Sequence, residues 1–294
     1  MRAMSDTLVV QGRRLEPAHI VRIRELIAGN PGWSRRRLSQ ALCAEWDWRN
    51  AAGQLKDMAA RSLLGKLQGR GLIELPPRRQ TPSNRMLSRK IPSQHWDLSA
   101  IVGTLRDVGP LSVQEVSTDA AERVRFAAAL ATFHYLGCRG AVGENLQYTV
   151  SDASGRLLAC LLFGSAAWKC RARDEFIGWT PQQRQERLCL ITNNMRFLIL
   201  PFVKVAHLAS WILGRVLRRL SQDWQSKYGH GIVLVETFVE RERFAGTSYK
   251  AANWSCLGAT SGRSRQDRDR MLCVPVKDVY LYPLRRCFRE ELCV

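Results

Sequence analysis

The chain has 294 residues, of which 46% are apolar and 24% charged, with 45 Lys and Arg against 26 Asp and Glu. This composition supplies enough apolar material for a packed core, so it excludes a disordered chain, a collagen-like fibre and a disulfide-stapled mini-protein. At roughly 100–200 residues per domain, the length predicts two domains, or one large and one small.

The cationic excess consists mainly of arginine. The formal net charge is +19, and 37 of the 45 cations are Arg. The planar fork of arginine binds phosphate through two hydrogen bonds and stacks on bases, whereas lysine acts as a point charge. An excess of this size favours polyanions, and nucleic acid is the default polyanion. The alternative is a solvated basic surface with no role in nucleic-acid binding.

The nine cysteines indicate a reduced compartment. No two of them stand at Cys-x-x-Cys spacing, and no His-x-x-x-His completes a zinc site. Their odd number and their place in apolar runs such as residues 158–161 favour small core side chains over disulfides. The first ten residues are too short and too polar for a signal peptide, and no apolar stretch approaches a membrane span. We therefore expect a cytoplasmic protein with no membrane partner.

Residues 1–80 are predicted to form a winged helix-turn-helix DNA-binding domain. Helical apolar spacing begins after Pro17, resumes after Ser34 as an N-cap, and recurs over residues 54–68. Residues 72–75 predict a short strand, closed by a basic turn that serves as the wing. In such domains the third helix enters the major groove and the wing touches the backbone. The alternative is a three-helix bundle that contacts protein. The predicted DNA contacts are Lys56, Arg61, Lys66 and Arg70 on or beside the third helix, and Arg78 and Arg79 on the wing.

Residues 81–118 predict a linker, and residues 119–294 a mixed α/β domain. Turn-forming residues replace apolar periodicity in the linker. The second domain alternates strands and helices after an initial helix and hairpin, so the fold class is α+β with a mixed sheet. The predicted elements are a helix over 120–135, strands over 146–150 and 157–163, a short helix ending at 190, a strand over 194–200, a helix over 207–224, a strand over 231–239, a short helix over 248–253, and strands over 254–259 and 279–282.

Five segments carry a family resemblance. They are FHYLG at 133–137, RDEFIGW at 173–179, NMRFLILP at 194–201, ETFV at 236–239 and GTSYKAANW at 246–254. In combination they resemble the DruA family, the small component of the Druantia anti-phage system, whose members also occur near transposase genes. The order of hairpin, strand, helix and strand before the last segment resembles the GNAT acyltransferase fold. The resemblance covers about residues 17–290 and implies a defence or mobile-element protein with a GNAT-like body.

The GNAT resemblance also implies a cofactor site, from which this sequence departs. GNAT enzymes hold the pyrophosphate of acyl-CoA on backbone N–H groups of a glycine-bearing loop that follows the fourth strand. The corresponding residues 201–210 contain no glycine, so the backbone approaches a pyrophosphate less closely. This departure argues against acyl-CoA as a cofactor. Lys204 and the N–H groups beside it remain candidates for binding a DNA phosphate.

Three residues are candidates for catalysis. Glu236 follows a strand with no other charge, so a desolvated carboxylate there is a candidate general base or metal ligand. With Asp174 it is a candidate pair for Mg²⁺ and phosphoryl transfer. The alternative for Glu236 is a structural acid that pairs with Arg173 or Arg196, two arginines that are also candidate DNA contacts. Tyr249 is a candidate general acid, as the GNAT resemblance implies, or a nucleophile on phosphate. Its alternative is a packed ring with a satisfied hydroxyl.

One loop and one histidine complete the candidates. Arg263 and Arg265 lie in a Gly/Ser- and Arg-rich segment, residues 258–270, which predicts a loop that becomes ordered on nucleic acid, or else a merely solvated one. His134 stands between apolar residues on a predicted helix and is interpreted as a core histidine.

Three classes of function follow from these features, one of which is a pure scaffold for a partner helicase or nuclease. The first is a DNA-binding protein that recognises double-stranded DNA, with single-stranded DNA, a helicase or nuclease of the same operon, and a second copy of the chain as further candidate partners. The second is an enzyme. One version is a transposase-like protein that cleaves and joins strands, and the other is an acyltransferase acting on DNA or protein.

Overall fold

The computed structural model describes residues 8–10, 13–49, 54–79, 91, 93–138, 140–262 and 274–294. The chain forms two compact units, Met1–Asn84 and Arg85–Val294. No helix among the described residues combines the length and apolar character that a membrane crossing requires.

The N-terminal unit contains a small hairpin and three helices. Strands β1 (Leu8–Val10) and β2 (Arg13–Leu15) pair antiparallel. They precede α1 (Pro17–Ala28), α2 (Arg35–Glu45) and α3 (Asp57–Gly69). Proline at the first turn of α1 and the Ser34 hydroxyl, which accepts the Arg37 N–H at 3.3 Å, begin two of these helices as the sequence predicts. The apolar faces meet in a core that includes Ile20, Ile23, Leu38, Leu42, Leu63 and Leu67.

The predicted strand over residues 72–75 is absent. The chain from Gly71 to Arg79 is irregular, although Ile73 and Leu75 are buried against the helices. Arginine side chains bond its carbonyls: Arg24 Nε donates to the Leu72 oxygen at 2.8 Å, and Arg35 Nε to the Pro76 oxygen at 2.6 Å. The described residues that follow α3 up to 79 therefore contain no wing hairpin, and the winged helix stays a prediction.

The second unit is built on one seven-stranded mixed sheet. Its spatial order is β4–β5–β6–β7–β9–β11–β10. Every neighbouring pair is antiparallel except β7 and β9, which run parallel. The mixed α+β architecture is thus confirmed. The strands are β4 (Ser112–Glu115), β5 (Leu146–Ser151), β6 (Leu157–Ser165), β7 (Ile191–Ile199), β9 (Leu234–Glu240), β10 (Ser255–Ala259) and β11 (Lys277–Pro283).

The longest helix of this unit, α7, packs its apolar face against the sheet. Leu213, Val216 and Leu220 are buried along it at helical spacing. Residues 171–177, which lie outside every predicted helix and strand, form a helix. The helices are α4 (Ala120–Phe133), α5 (Arg171–Ile177), α6 (Pro181–Arg187), α7 (Leu208–Tyr228), α8 (Thr247–Ala251) and α9 (Phe288–Leu292).

Part of the predicted linker over 81–118 belongs to the second unit. Strand β4 is an edge of the large sheet, and β3 (Ile101–Gly103) pairs in parallel with β8 (Val203–Val205). These strands are only three or four residues long, and their partners lie far along the chain. Local periodicity does not reveal such pairings.

Candidate functional site

The two parallel strands at the centre of the sheet separate along their length. Strands β7 and β9 pair only through residues 191–193 and 234–236. A bulge contributes to the separation, because Leu162 faces Arg196 while Phe163 faces Asn194, which leaves Met195 as the extra residue. The separated halves of the two strands enclose a cavity of about 700 Å³. We call it the splay cavity; residues 133–136 and 243–249 complete its walls.

A hydrogen-bonded group of three side chains joins the walls of the splay cavity. The Tyr249 hydroxyl donates to Asn194 Oδ1 at 2.7 Å, and the Thr237 hydroxyl donates to the Asn194 backbone oxygen at 3.0 Å. Asn194 Nδ2 donates in turn to the backbone oxygens of Leu162 and Arg196. Burial raises the pKa of Tyr249 to about 12, so this phenol is neutral at physiological pH.

Aromatic rings fix the position of Tyr249. Its ring stacks on Tyr280 at a centroid distance of 5.8 Å and meets Trp254 edge-on at 5.0 Å. Gly246, which precedes α8, lies so close that a Cβ would collide with the Tyr280 hydroxyl, and its φ of +68° suits glycine. These contacts match the alternative predicted for Tyr249, a packed ring whose hydroxyl is hydrogen-bonded.

The mouth of the splay cavity carries exposed aromatic side chains. Tyr135 is 40% exposed and Phe244 is 50% exposed, and both line the cavity. Their ring centroids are 5.5 Å apart, and the Arg243 guanidinium lies 5.1 Å from the Tyr135 ring centroid. Large aromatic rings are usually buried, so two adjacent exposed rings at a cavity mouth indicate a binding surface.

His134 is a neutral polar group in the same wall. Its Nδ1 accepts the Leu136 N–H at 3.1 Å, which leaves the proton on Nε2. Burial, assisted by the charge of Arg196, lowers the pKa of His134 to about 4. The ring stacks on Tyr135 at 4.9 Å. The sequence predicted a core histidine, whereas the structure places it, partly buried, against the cavity.

The splay cavity is bordered by more cations than anions. Arg196, Arg243 and Lys277 line it together with a single carboxylate, that of Glu240. Glu240 pairs with Arg243 at 2.9 Å, and Arg196 donates to the backbone oxygens of Gly137 and Met195. The resulting electrostatic potential favours an anionic ligand.

The predicted carboxylate pair meets at a buried arginine, outside the lining of the splay cavity. Arg173 Nη1 donates to Glu236 Oε2 at 2.9 Å, and its Nε and Nη2 donate to Asp174 Oδ1 at 3.0 and 2.8 Å. The other oxygen of Glu236 accepts the Ala167 N–H at 2.6 Å. Burial raises the pKa of Glu236, while Arg173 opposes the rise. The structure thus gives Glu236 the pairing with Arg173 that the sequence left as its alternative.

This arrangement does not fit a magnesium ion. Mg²⁺ requires carboxylate oxygens with open coordination positions. Both oxygens of Glu236 accept hydrogen bonds, and Asp174 also accepts from Trp179 Nε1 and Arg184 Nη1. Across the described residues, no group of three or more His, Cys, Asp and Glu side chains is placed to hold a metal.

The segment before α7 differs from the acyl-CoA loop that the GNAT resemblance implies. Strand β8 occupies the segment where GNAT enzymes place their glycine-bearing loop, and it pairs with β3. The Val203 N–H donates to the Leu200 oxygen and the Ala206 N–H to the Gly103 oxygen, so protein carbonyls use these donors. Lys204 is exposed on β8. Leu208, Ala209 and Ser210 begin α7, where the first N–H groups of a helix have no intrahelical acceptor.

Comparison with known proteins identifies the family. Residues 66–273 match the family described as Druantia protein DruA. The chain belongs to the DruA family. The matched residues make up more than half of the chain and include all of the splay cavity except Lys277. No curated protein matches the chain.

Solved structures similar to this DruA-family chain include two acetyltransferases. An acetyltransferase of the GNAT family from Streptococcus pneumoniae is 12% identical, with a TM-score of 0.37, over 59% of this chain and 99% of its own. Spermidine N-acetyltransferase from Vibrio cholerae, in complex with CoA and spermine, is 9% identical, also with a TM-score of 0.37, over 58% of this chain and 92% of its own.

The predicted DNA contacts of this DruA-family chain have varied surroundings. Lys56 and Arg70 flank α3 and are exposed, as is Arg78. Lys66 is half-buried, and Arg61 pairs with Asp57 at 2.8 Å. Arg79 Nη2 donates to the Gly32 oxygen at 3.2 Å. Arg173 is fully buried, and Arg196 lines the splay cavity. Arg263 and Arg265 lie outside the described residues.

Sequence reasoning missed the mouth of the splay cavity. Tyr135 and Asn194 lie inside segments that carried the family resemblance, which was the available indication of a role for them. Arg243 and Phe244 follow β9 in a turn and belong to no motif. Their nearness to Tyr135 depends on the tertiary fold, which no local pattern contains.

Proposed function

We propose that this DruA-family chain is a DNA-binding component of an anti-phage defence system, which holds DNA for a partner helicase or nuclease to process. The family supplies the defence context. The observation that carries the DNA-binding part is a group of exposed cations around α3.

These cations are Lys56, Arg70 and Arg78. All three are exposed, and within the described part of the N-terminal unit the carboxylates that form ion pairs do so with other arginines. Exposed cations without local carboxylate partners favour phosphate, because each contact releases counterions from the DNA. The net charge of +19 acts in the same direction over a longer range.

The candidate catalytic groups favour binding over chemistry. Asp174 and Glu236 are both bound by Arg173, so neither is an open carboxylate. Tyr249 has a pKa raised to about 12, and its hydroxyl bonds Asn194 and Thr237, neither of which is a base, whereas a nucleophilic hydroxyl requires activation. The segment before α7 contains no glycine, and its Val203 and Ala206 N–H groups donate to protein carbonyls, which argues against an acyl-CoA loop of the GNAT type.

The experiment is a salt titration of duplex DNA binding by the full chain. We expect Lys56→Ala/Arg70→Ala/Arg78→Ala to weaken binding and to reduce the slope of log K against log salt by about 3, since each phosphate contact contributes about 0.9. The matched control is Arg22→Ala/Arg171→Ala/Arg285→Ala, which removes three exposed arginines that already pair with carboxylates. An affinity and slope equal to those of the control would show that the cations around α3 do not bind DNA.

The same samples test catalysis. Incubation with Mg²⁺, followed by a denaturing gel, should leave the DNA intact and free of covalently attached protein. Cleaved, joined or protein-linked DNA would replace the binding proposal with transposase-like strand processing, and saturable binding of acetyl-CoA would favour acyl transfer.

A further inference from the structure

The splay cavity has the size of a small-molecule site. Its volume of about 700 Å³ lies within the roughly 300–1,000 Å³ of sites that bind small molecules. Such sites combine apolar and aromatic walls with a few polar groups. The aromatic residues that line this cavity are Phe133, Tyr135, Phe197, Phe238, Phe244 and Tyr249.

The polar groups in its walls are neutral or cationic, with one exception. His134 presents an uncharged ring with the proton on Nε2, and Thr247 and Ser248, which also line the cavity, add hydroxyl groups. The charged residues are three cations and Glu240, which Arg243 already pairs. The neutral groups can hydrogen-bond to a polar ring, and the cations at the border can attract an anionic group. The lining therefore suits a ligand that contains both.

The mouth extends this surface beyond the cavity. Tyr135 and Phe244 both face solvent in part, and their centroid distance of 5.5 Å leaves no room for a base between them. His134 stacks on Tyr135 and the Arg243 guanidinium lies over the same ring, so a base at the mouth would stack on the outer face of Phe244. Sequence-tolerant stacking of successive bases on exposed aromatics is typical of proteins that bind single strands.

From this combination, and resting on the proposed DNA-binding function, we propose that the splay cavity binds one nucleotide of an unpaired DNA strand. A neighbouring base stacks on Phe244, which Tyr135 supports at a centroid distance of 5.5 Å, and Arg243 and Lys277 lie near the phosphates. A base can enter a cavity only after it leaves the duplex stack, which costs least for a strand that is already unpaired. The cavity would thus add specificity for single strands to the duplex contacts proposed for the N-terminal unit.

A free nucleotide carrier such as coenzyme A shares the chemistry of a base and phosphates. The sequence favours the strand over the carrier because residues 201–210 contain none of the glycines that let a backbone approach a pyrophosphate closely. An isolated nucleotide held inside the cavity would also leave the exposed aromatic surface at the mouth without a stacked base.

The test measures single-strand and duplex affinity of the full chain by fluorescence anisotropy. Tyr135→Ala/Phe244→Ala should weaken binding of a short single-stranded oligonucleotide about tenfold, as expected for lost base–aromatic stacking, and leave duplex affinity unchanged. Both side chains are substantially exposed, so folding should be retained, and circular dichroism checks this. The matched control is Trp168→Ala, which removes an aromatic side chain that is 45% exposed and does not line the splay cavity.

A second measurement locates the bound base directly. A single strand carrying 5-iodouracil should cross-link on irradiation to residues 133–136 or 243–249, and Tyr135→Ala/Phe244→Ala should remove this product. Cross-links confined to the N-terminal unit would overturn the proposal.

The outcomes separate this inference from the proposed function. If the unaltered chain binds neither duplex nor single strand, the proposed DNA function fails and this inference fails with it. If the chain binds DNA but Tyr135→Ala/Phe244→Ala behaves like Trp168→Ala, only the nucleotide site is overturned. Displacement of the single strand by coenzyme A at lower concentration than by a matching oligonucleotide would assign the cavity to a free nucleotide carrier instead.

Discussion

Arg173 and Glu236 form an ion pair in which neither side chain is exposed to solvent, with 2.9 Å between Nη1 and Oε2. Arg173 belongs to α5 and Glu236 to β9, so the pair fastens that helix to the centre of the sheet. Asp174, Trp179 and Arg184 extend the network by further hydrogen bonds. A buried charge needs its partner, because an unpaired charge in the interior is strongly destabilising.

We therefore expect Glu236→Gln to lower the free energy of unfolding by about 3 kcal/mol, since Arg173 would lose one of its two carboxylates in a buried site. Urea unfolding followed by tryptophan fluorescence measures the change. The control is Glu175→Gln, in an exposed pair with Arg171, for which we expect less than about 0.5 kcal/mol. Unchanged stability together with lost function would return Glu236 to the role of a reacting carboxylate.

Tyr249→Phe should preserve DNA binding. The substitution keeps the ring contacts with Trp254 and Tyr280 and removes only the hydroxyl that donates to Asn194. We expect a loss of about 1 kcal/mol in stability, the usual contribution of one neutral hydrogen bond. Because the pKa of Tyr249 is raised to about 12, DNA binding by the unaltered chain should show no titration of this phenol between pH 7 and 10. A phosphotyrosine adduct that disappears in Tyr249→Phe would contradict the assignment.

Gly246→Ala should destabilise the chain more than Gly155→Ala. Both glycines have positive φ, +68° and +83°, so both substitutions incur about 1–2 kcal/mol of backbone strain. Only at Gly246 would the new Cβ also collide with Tyr280, which adds about 1–3 kcal/mol as overpacking in a core does. The melting temperatures of the two variants compare them. Equal melting temperatures would show that Tyr280 and the chain before α8 accommodate the new Cβ without a loss of stability.

His134 predicts a pH dependence of stability. Its pKa is about 4 in the folded chain against an ordinary 6.5, so the unfolded chain takes up the proton first as pH falls. The stability that the neutral ring contributes is therefore present above pH 6.5 and is lost progressively towards pH 4. His134→Gln, which retains an acceptor for the Leu136 N–H, should show a shallower decline over this window. An NMR titration of His134 with a midpoint near 6.5 would be the contrary result.

The sequence predicted elements that depend on local pattern and missed those that depend on distant partners. Helices α1, α2 and α3, the β5–β6 hairpin and α7 follow from apolar spacing, caps and turns. The strand at residues 101–103 depends on its pairing with residues 203–205, which is decided in three dimensions. The strand predicted over 72–75 did not form: among the described residues no strand pairs with this segment, and Arg24 bonds its Leu72 carbonyl.

The sequence predicted some of the residues of the candidate site but not their arrangement in space. Glu236 and Tyr249 drew attention because they stand next to apolar or family-like segments. Whether such a group reacts or packs depends on its neighbours, and Arg173 and Asn194 are distant in sequence. The cavity itself arises because two strands separate beyond their third pair, a property of the sheet that no single strand encodes.

The place of β11 in the sheet has a consequence for synthesis of the chain. Strand β11 lies between β9 and β10, although it follows both of them in sequence. While the ribosome is still adding residues before 277, β9 has no neighbour on that side and β10 has none to join it to the sheet. Such an open edge invites pairing with other chains. The second unit can therefore complete its sheet only after β11 has emerged from the ribosome. A nascent chain that stalls before β11 is the form most exposed to aggregation and proteolysis.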